Sequence, residues 1–279
     1  MGRNLYTNEK VAIKLESLKT KSLQLIFENY FYHALGAKEG LPEVYYFGTI
    51  GLEYSALVME LLGPSLETLF QFCGKIFSLK TVLMIAIQII SRIEYIHSRN
   101  LVYRDIKPEN FLVGLQEQLF PYRKATNNTI YIIDFGLANT YINPETKTHI
   151  PFSEQIGLIG TPRYMSANAH KQRQQSRRDD LESIGYMLLY FVKGELPWSE
   201  LETTKEDIDA IGKIKTKISA EKLCKDLPEE FADYFRAVRK LEFMESPDYD
   251  ALKFLFETVY ELNRFPDDGL FDWSTTWIQ

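Results

Sequence analysis

The spacing of hydrophobic and polar positions changes near residue 62. Before that point, short β-type runs of apolar residues predict strands over residues 10–15, 44–47 and 55–60. Apolar residues at helical spacing predict one helix among them, over residues 23–35. After residue 62 the helical spacing dominates and predicts helices over residues 78–98, 178–192, 228–241 and 249–262. The pattern therefore predicts an α+β, bilobal fold with a small β-rich lobe followed by a larger helical lobe.

Composition narrows the class of protein. The chain has 279 residues, enough for about two compact units, and a formal net charge of −6, which argues against a nucleic-acid-binding surface. Cys73 and Cys224 lie far apart and fit no metal-ligand or Cys-x-x-Cys spacing, which favours a reducing, intracellular setting. The most apolar run, residues 82–90, is too short to span a bilayer, and no apolar leader is visible. We therefore expect a soluble, cytoplasmic protein without a transmembrane segment.

The strongest chemical signal lies in two neighbouring segments. The first reads Tyr103-Arg104-Asp105-Ile106-Lys107-Pro108-Glu109-Asn110, and the second, residues 130–136, contains Asp134. Phosphoryl transfer to a hydroxyl requires a carboxylate that accepts the proton and oxygen ligands that hold Mg²⁺ on the phosphates. Asp105 is suited to be the base, and Lys107 can neutralise charge on the transferring group. Asn110 and Asp134, the latter at the end of a predicted β-hairpin, are suited to be the metal ligands.

Each of these residues taken alone would more often be a turn or cap residue, but their combination in this order favours catalysis.

A lysine and a glutamate upstream support the same interpretation. Lys14 lies on a predicted strand, and Glu28 lies on the helix that follows. A lysine pointing into a cleft needs a partner, and Glu28 can hold it against the α- and β-phosphates. The alternative for this pair is a surface strand lysine beside an unrelated surface glutamate.

These motifs resemble those of protein kinases, and more specifically casein kinase 1, nearest to its gamma group. The resemblance covers nearly the whole chain. Tyr103 stands where most kinases have His, and Met165-Ser166-Ala167-Asn168 stands where other kinases have Ala-Pro-Glu. The segments Ser176-Arg177-Arg178-Asp179-Asp180-Leu181-Glu182, Leu196-Pro197-Trp198 and Pro247-Asp248-Tyr249 are similarly characteristic of the family. The resemblance implies a serine/threonine protein kinase that uses ATP and Mg²⁺ and acts on protein substrates, and we expect a monomer.

The resemblance also implies a role for particular positions. Asp105 would be the base, Lys107 would contact the γ-phosphate, and Asn110 and Asp134 would bind Mg²⁺. Asp180 would brace the catalytic loop rather than react. The residues implied to bind ATP are Ala12, Lys14, Glu28, Met59, Glu60, Leu62, Leu112 and Ile133. Residues 1–279 would form a single kinase domain, with lobes over residues 1–61 and 62–279.

The sequence departs from the family pattern at its start. Kinases carry a Gly-rich G-x-G-x-x-G hairpin before the strand lysine, and residues 1–13 contain a single glycine, Gly2. We expect the first strand and the Gly-rich loop of the small lobe to be absent, as in an N-terminally truncated chain. The alternative to an active kinase is therefore a weak or inactive pseudokinase that serves as a scaffold. A small-molecule phosphotransferase is a further alternative, but the long segment from Asp134 to Asn168, which can hold a peptide, argues against it.

A second departure concerns substrates. Arg163 is present at the position implied to bind an anion on the substrate, and we expect acidic protein substrates. Residues 200–209, which are basic in relatives, here contain five acidic side chains and one lysine. Because like charges repel, a preference for phosphorylated substrates is not expected.

Overall fold

The computed structural model describes residues 1–20, 24–115, 128–201 and 204–274. The chain divides into two compact units. The first comprises Met1–Leu66 and Glu109–Ala138, and the second comprises Glu67–Pro108 and Asn139–Gln279. The segment over residues 109–138 thus belongs to the β-rich unit, although it lies far from the other strands in the sequence.

The first unit is built on an antiparallel sheet. Its strands are β1 (Gly2–Arg3), β2 (Lys10–Ser17), β3 (Val44–Ile50) and β4 (Tyr54–Glu60), in the order β1-β2-β4-β3. Helix α1 (Gln24–Leu35) contacts β2 and β4. A separate hairpin pairs β6 (Phe111–Val113) with β7 (Ile130–Ile132). Strand β5 (Leu101–Val102) pairs with β8 (Asn139–Thr140) in the second unit.

The predicted strands and helix of this unit are confirmed, with strands that run further than the pattern indicated. Leu23, the first residue of the predicted helix, lies outside the described residues. The sequence pattern placed no strand before Lys10, but β1 pairs there with β2, Gly2 opposite Val11. Two residues give too short a pattern for a prediction, so only the pairing identifies this strand.

The second unit is mostly helical. Its helices in the described residues are α2 (Leu66–Phe72), α3 (Leu79–Ser98), α4 (Ala167–His170), α5 (Arg177–Lys193), α6 (Lys205–Lys217), α7 (Ala220–Leu223), α8 (Glu229–Lys240) and α9 (Tyr249–Leu262). Short 3₁₀ turns occur at Pro108–Asn110 and Asp272–Ser274. The four predicted helices are confirmed as α3, α5, α8 and α9, whereas α2, α4, α6 and α7 were not predicted.

The core of the second unit forms around α3 and α5. Helix α3 packs against α5 and α9 and buries the apolar face that its sequence spacing predicted. Helix α5 is buried at every position from Asp179 to Phe191, as expected of a helix surrounded by other elements. Near the C-terminus, Phe271 and Trp273 are buried and stack with ring centroids 4.5 Å apart, while Trp277 lies outside the described residues. None of the described helices is long and apolar enough to cross a membrane.

Candidate active site

An ionic cluster of three side chains occupies the first unit. The Nζ atom of Lys14, in the middle of β2, lies 2.6 Å from Oε2 of Glu28 on α1 and 3.1 Å from Oδ1 of Asp134. Strand pairing fixes the lysine, since Lys14 lies opposite Leu57 on β4. The structure therefore brings together three of the residues that the sequence selected for nucleotide and metal binding.

Burial and charge act in opposite directions on this cluster. Burial lowers the pKa of Lys14, but attraction to Glu28 and then to Asp134 outweighs burial and leaves the pKa raised. For Glu28, which is 1% exposed, burial raises the pKa, and the nearby Lys14 ammonium offsets only part of that rise. The lysine is thus held as a cation by two carboxylates, one buried and one accessible to a ligand.

The backbone around Asp134 holds its carboxylate in a defined position. Asp134 has a left-handed φ of 62°, and its Oδ1 accepts a hydrogen bond from the Gly136 amide at 3.2 Å. The Asp134 amide donates to the hydroxyl of Tyr32 at 3.2 Å, and the Tyr32 ring meets Phe135 edge to face. Left-handed backbone is costly outside glycine and concentrates at functional sites. Tyr32 was not selected from the sequence, although it lies one helical turn after Glu28, on the same face of α1.

Asn110 is linked to the residue before Asp134 by a backbone hydrogen bond. Its carbonyl accepts a hydrogen bond from the Ile133 amide at 3.0 Å, next to Asp134, and the residue is 4% exposed. The other residues implied to bind ATP also belong to the first unit. Ala12, Met59 and Glu60 lie on paired strands, with Ala12 opposite Met59. The remaining ones are Leu62, which is buried, and Leu112 and Ile133, which are half-buried.

The first unit offers ligands that suit a magnesium ion bound to phosphates. Among the described residues no group of three or more His, Cys, Asp and Glu side chains is arranged to hold a metal ion. Mg²⁺ in nucleotide sites typically takes one or two carboxylates, waters and phosphate oxygens rather than a cage of protein ligands. The half-exposed carboxylate of Asp134 and the amide of Asn110 are oxygen donors of that kind.

The segment of the second unit that the sequence selected for catalysis centres on Asp105. Its carboxylate is 6% exposed, with Oδ2 2.6 Å from Lys107 Nζ. Oδ1 accepts a hydrogen bond from Thr161 Oγ1 at 2.9 Å. Lys107 and Thr161 thus each donate to one oxygen of Asp105, which fixes the plane of the carboxylate. Thr161 was not selected from the sequence, because no local pattern indicates that it contacts Asp105, 56 residues away.

Asp180, at the start of α5, binds the backbone just before Asp105. Its Oδ2 accepts from the Tyr103 amide and its Oδ1 from the Arg104 amide, both at 2.7 Å. Arg104 has a φ of 67°, so the residue before Asp105 is held in left-handed backbone. The predicted bracing contact of Asp180 is present, and it fixes the backbone on which Asp105 stands.

A buried histidine extends this support. His97 on α3 lies with Nε2 2.8 Å from Asp180 Oδ2 and Nδ1 2.7 Å from the hydroxyl of Tyr249 on α9. A carboxylate only accepts hydrogen bonds, so Nε2 carries a hydrogen and donates to Asp180, and in the neutral imidazole Nδ1 accepts from the Tyr249 hydroxyl. A lone histidine on an apolar helix face has no recognisable spacing, so this contact of His97 was not predicted.

Arg163 follows Thr161 by two residues. Its guanidinium lies over the Tyr190 ring, 5.6 Å from the centroid, and its backbone carbonyl accepts a hydrogen bond from the Trp198 indole at 2.8 Å. A guanidinium on an aromatic face keeps its charge and its donors, so this position remains suited to an anion.

Comparisons with known proteins agree with this geometry. A family model described as the protein kinase domain matches residues 2–252. The chain is 48% identical over 274 residues to casein kinase I homolog 2 of Schizosaccharomyces pombe, a match that covers 98% of this chain. The chain spans 61% of the length of that relative. The resemblance to casein kinase 1 and the predicted fold class are confirmed.

Proposed function

Since the chain belongs to the protein kinase family, we propose that it transfers the γ-phosphoryl group of Mg²⁺·ATP to serine and threonine hydroxyls of acidic protein substrates. The observation that best supports this function is the contact of Lys14 Nζ with both Glu28 and Asp134. A cation held between a buried and an accessible carboxylate is the arrangement that phosphoryl transfer needs beside a nucleotide.

The first unit would bind the nucleotide. The apolar side chains of Ala12, Met59, Leu62, Leu112 and Ile133 would enclose the adenine ring, and backbone groups of Glu60 and Leu62 would hydrogen-bond its edge. Lys14, oriented by Glu28, would contact the α- and β-phosphates. Asp134 and Asn110 would hold Mg²⁺, which when bound neutralises charge on the phosphate oxygens.

The second unit would perform the proton transfer. Asp105 would orient the substrate hydroxyl and accept its proton while the hydroxyl oxygen bonds to the γ-phosphorus and the bond from that phosphorus to the β-phosphate oxygen breaks. Thr161 keeps one carboxylate oxygen in place during this step. Lys107, which pairs with Asp105 at 2.6 Å, would turn to the phosphoryl group when the nucleotide is bound.

The test is ³²P transfer from ATP to casein, measured beside an Asp105→Asn variant. Loss of a general base should lower kcat by about 10²-fold or more, because a positioned base typically contributes 10²–10⁴. Asp267→Asn, at an exposed position, is the matched control and should retain the wild-type rate. Hydrolysis of the labelled product followed by phosphoamino-acid separation should give phosphoserine and phosphothreonine.

Two results would contradict the proposal. Equal label in the wild type and in Asp105→Asn would favour the scaffold alternative, in which the fold is retained without turnover. Label found mainly on tyrosine would contradict the serine/threonine assignment while leaving the kinase reaction in place.

A further inference from the structure

Helix α6 buries one of its lysines completely. Lys215 is 1% exposed, whereas Lys213 and Lys217 on the same helix are exposed. The Nζ atom of Lys215 donates to the carbonyls of Pro162, Arg163 and Met165 at 2.8, 3.0 and 2.8 Å. An ammonium group has three hydrogens, and three carbonyl oxygens of one short segment are placed to accept them.

Aromatic rings complete the surroundings of this ammonium. Its Nζ lies 4.8 Å from the ring centroids of both Tyr186 and Trp198. Ring faces and carbonyl dipoles stabilise a cation that has been removed from water. Removal of the cation would take one donor from each of the three carbonyls, although the Arg163 carbonyl would keep the Trp198 indole and the Pro162 carbonyl lies 3.2 Å from His170 Nε2. The Lys215 contacts therefore specify one conformation of the backbone over residues 162–165.

The segment held by Lys215 begins at the proposed catalytic base. Thr161 Oγ1 lies 2.9 Å from Asp105 Oδ1, and the Thr161 carbonyl accepts from the amides of Tyr164 and Met165 at 2.9 Å. Residues 161–165 thus form a turn with one end against Asp105 and the other against Lys215. A peptide that presents a hydroxyl to Asp105 would lie along this turn, next to Arg163.

We infer that Lys215 is a positioning residue for the acceptor peptide: it holds residues 161–165 in the conformation that binds the peptide beside Asp105. This inference rests on the proposed kinase function. Lys215 is separated from the reacting atoms by the segment itself, so its loss should affect peptide binding more than nucleotide binding.

The test compares Lys215→Met, which keeps the length of the side chain and removes the charge, with Lys213→Met on the exposed face of α6. For Lys215→Met, KM for a serine-containing casein peptide should rise at least about tenfold, equivalent to about 1.4 kcal/mol. KM for ATP and the rate of peptide-independent ATP hydrolysis should stay within about twofold of wild type, the range expected when uniform peptide binding alone is lost. Lys213→Met should match the wild type in every measurement.

A second readout is independent of turnover. Burial and the neighbouring Lys215 charge lower the pKa of His170 to about 3. In Lys215→Met, NMR titration should show this pKa moving up towards the ordinary histidine range. Hydrogen exchange of the amides of residues 163–165 should accelerate at the same time, because the carbonyls of Pro162, Arg163 and Met165 have each lost the Lys215 donor.

Different failures have different meanings. If wild-type protein transfers no phosphate to the peptide, the proposed function fails. The role of Lys215 is then judged by hydrogen exchange alone, and unchanged amide exchange in Lys215→Met would overturn it. If the wild type is active, an unchanged peptide KM, or a rise in the KM for ATP by the same factor as for the peptide, would overturn the inference alone. Should Lys215→Met fail to fold, Lys215→Gln, which removes the charge but keeps a donor group, should show the same changes at a smaller size, and wild-type values in every measurement would overturn the inference.

Discussion

At the scale of single residues, the buried carboxylate of Glu28 is a group whose charge is costly to bury in the first unit. Its pKa is raised by burial despite the Lys14 contact at 2.6 Å, so ionisation of Glu28 opposes folding even in the presence of its partner. The Lys14 side chain is 43% exposed, and solvent screens part of the attraction. The pair therefore orients the Lys14 ammonium group and contributes little to the stability of the fold.

This balance predicts a pH-dependent effect of Lys14→Met. A carboxyl group whose pKa is higher in the folded than in the unfolded state binds more protons when folded. The protein therefore loses stability as pH rises from the unfolded-state pKa through the folded-state pKa. Loss of Lys14 raises the pKa of Glu28 further and extends the loss to higher pH. We expect Lys14→Met to lower the free energy of unfolding in urea by about 1–2 kcal/mol at pH 8, and by less at pH 5.

The double variant Lys14→Met with Glu28→Gln is the control for this explanation. It has no carboxylate to ionise at position 28, so its stability relative to wild type should vary less between the two pH values. A deficit of Lys14→Met that is as large at pH 5 as at pH 8 would contradict the role given to Glu28.

At the scale of elements, the start of α3 is fixed by a residue close to the other end of the chain. Asp272 accepts hydrogen bonds from both the amide and the hydroxyl of Ser78 at 2.6 Å, and the Asp272 amide donates to Thr81 Oγ1 at 3.0 Å. Ser78 Oγ in turn accepts from the Thr81 amide as the N-cap of α3. A carboxylate at a helix N-terminus also interacts favourably with the helix dipole.

We predict that Asp272→Ala destabilises the second unit by about 1–2 kcal/mol, the range for the loss of a capping interaction together with charge-assisted hydrogen bonds. Thermal unfolding followed by circular dichroism measures this change. Asp267→Ala, five residues earlier and exposed, is the matched control and should unfold at the wild-type temperature. Equal melting temperatures for the two variants would show that the Asp272 contacts contribute nothing to stability.

The same elements show what the sequence could and could not predict. Long helices with a regular apolar face, such as α3 and α9, were predicted because local spacing alone determines which face is buried. Helix α6 was not predicted, since its residues are largely charged and polar and its stability depends on the Thr204 cap and on packing against α4. The buried position of Lys215 could not be predicted either, because in the sequence it is one lysine among several on a charged helix.

The candidate site divides in a similar way. Asp105, Asn110 and Asp134 were selected because phosphoryl transfer needs those groups in that order along the chain. Tyr32 and His97 act through contacts with residues distant in the sequence, and no local pattern records such contacts. The ionic cluster of Lys14, Glu28 and Asp134 was predicted in part, as a lysine–glutamate pair without the second carboxylate.

At the scale of the whole molecule, the net charge of −6 bears on the choice of substrate. The first turn of α6 carries Glu206 and Asp207, and Glu200 before it is exposed. Glu202, which also contributed to the predicted acidic stretch, lies outside the described residues. The same helix supplies Lys215, which binds the carbonyl of Arg163. Helix α6 therefore carries both an acidic first turn and, more than two turns later, the lysine that contacts the Arg163 carbonyl.

We predict that a phosphorylated and a matched unphosphorylated acceptor peptide differ in kcat/KM by no more than about tenfold, or about 1.4 kcal/mol. The measurement uses the two peptides in parallel at fixed ionic strength, because screening weakens such repulsion. A preference of 10²-fold or more for the phosphorylated peptide would show that Arg163 dominates over the acidic residues.

The contacts of His97 have a consequence for how the molecule is made. Asp180 lies 83 residues and Tyr249 152 residues from His97 in the chain. During synthesis the segment around Asp105 emerges long before either partner, and loops that close over such distances form late in folding. The nascent chain therefore completes the support of its proposed base only when α9 has left the ribosome. A chain interrupted before Tyr249 would contain every proposed catalytic side chain, together with His97 and Asp180, but not the hydroxyl that contacts His97 Nδ1.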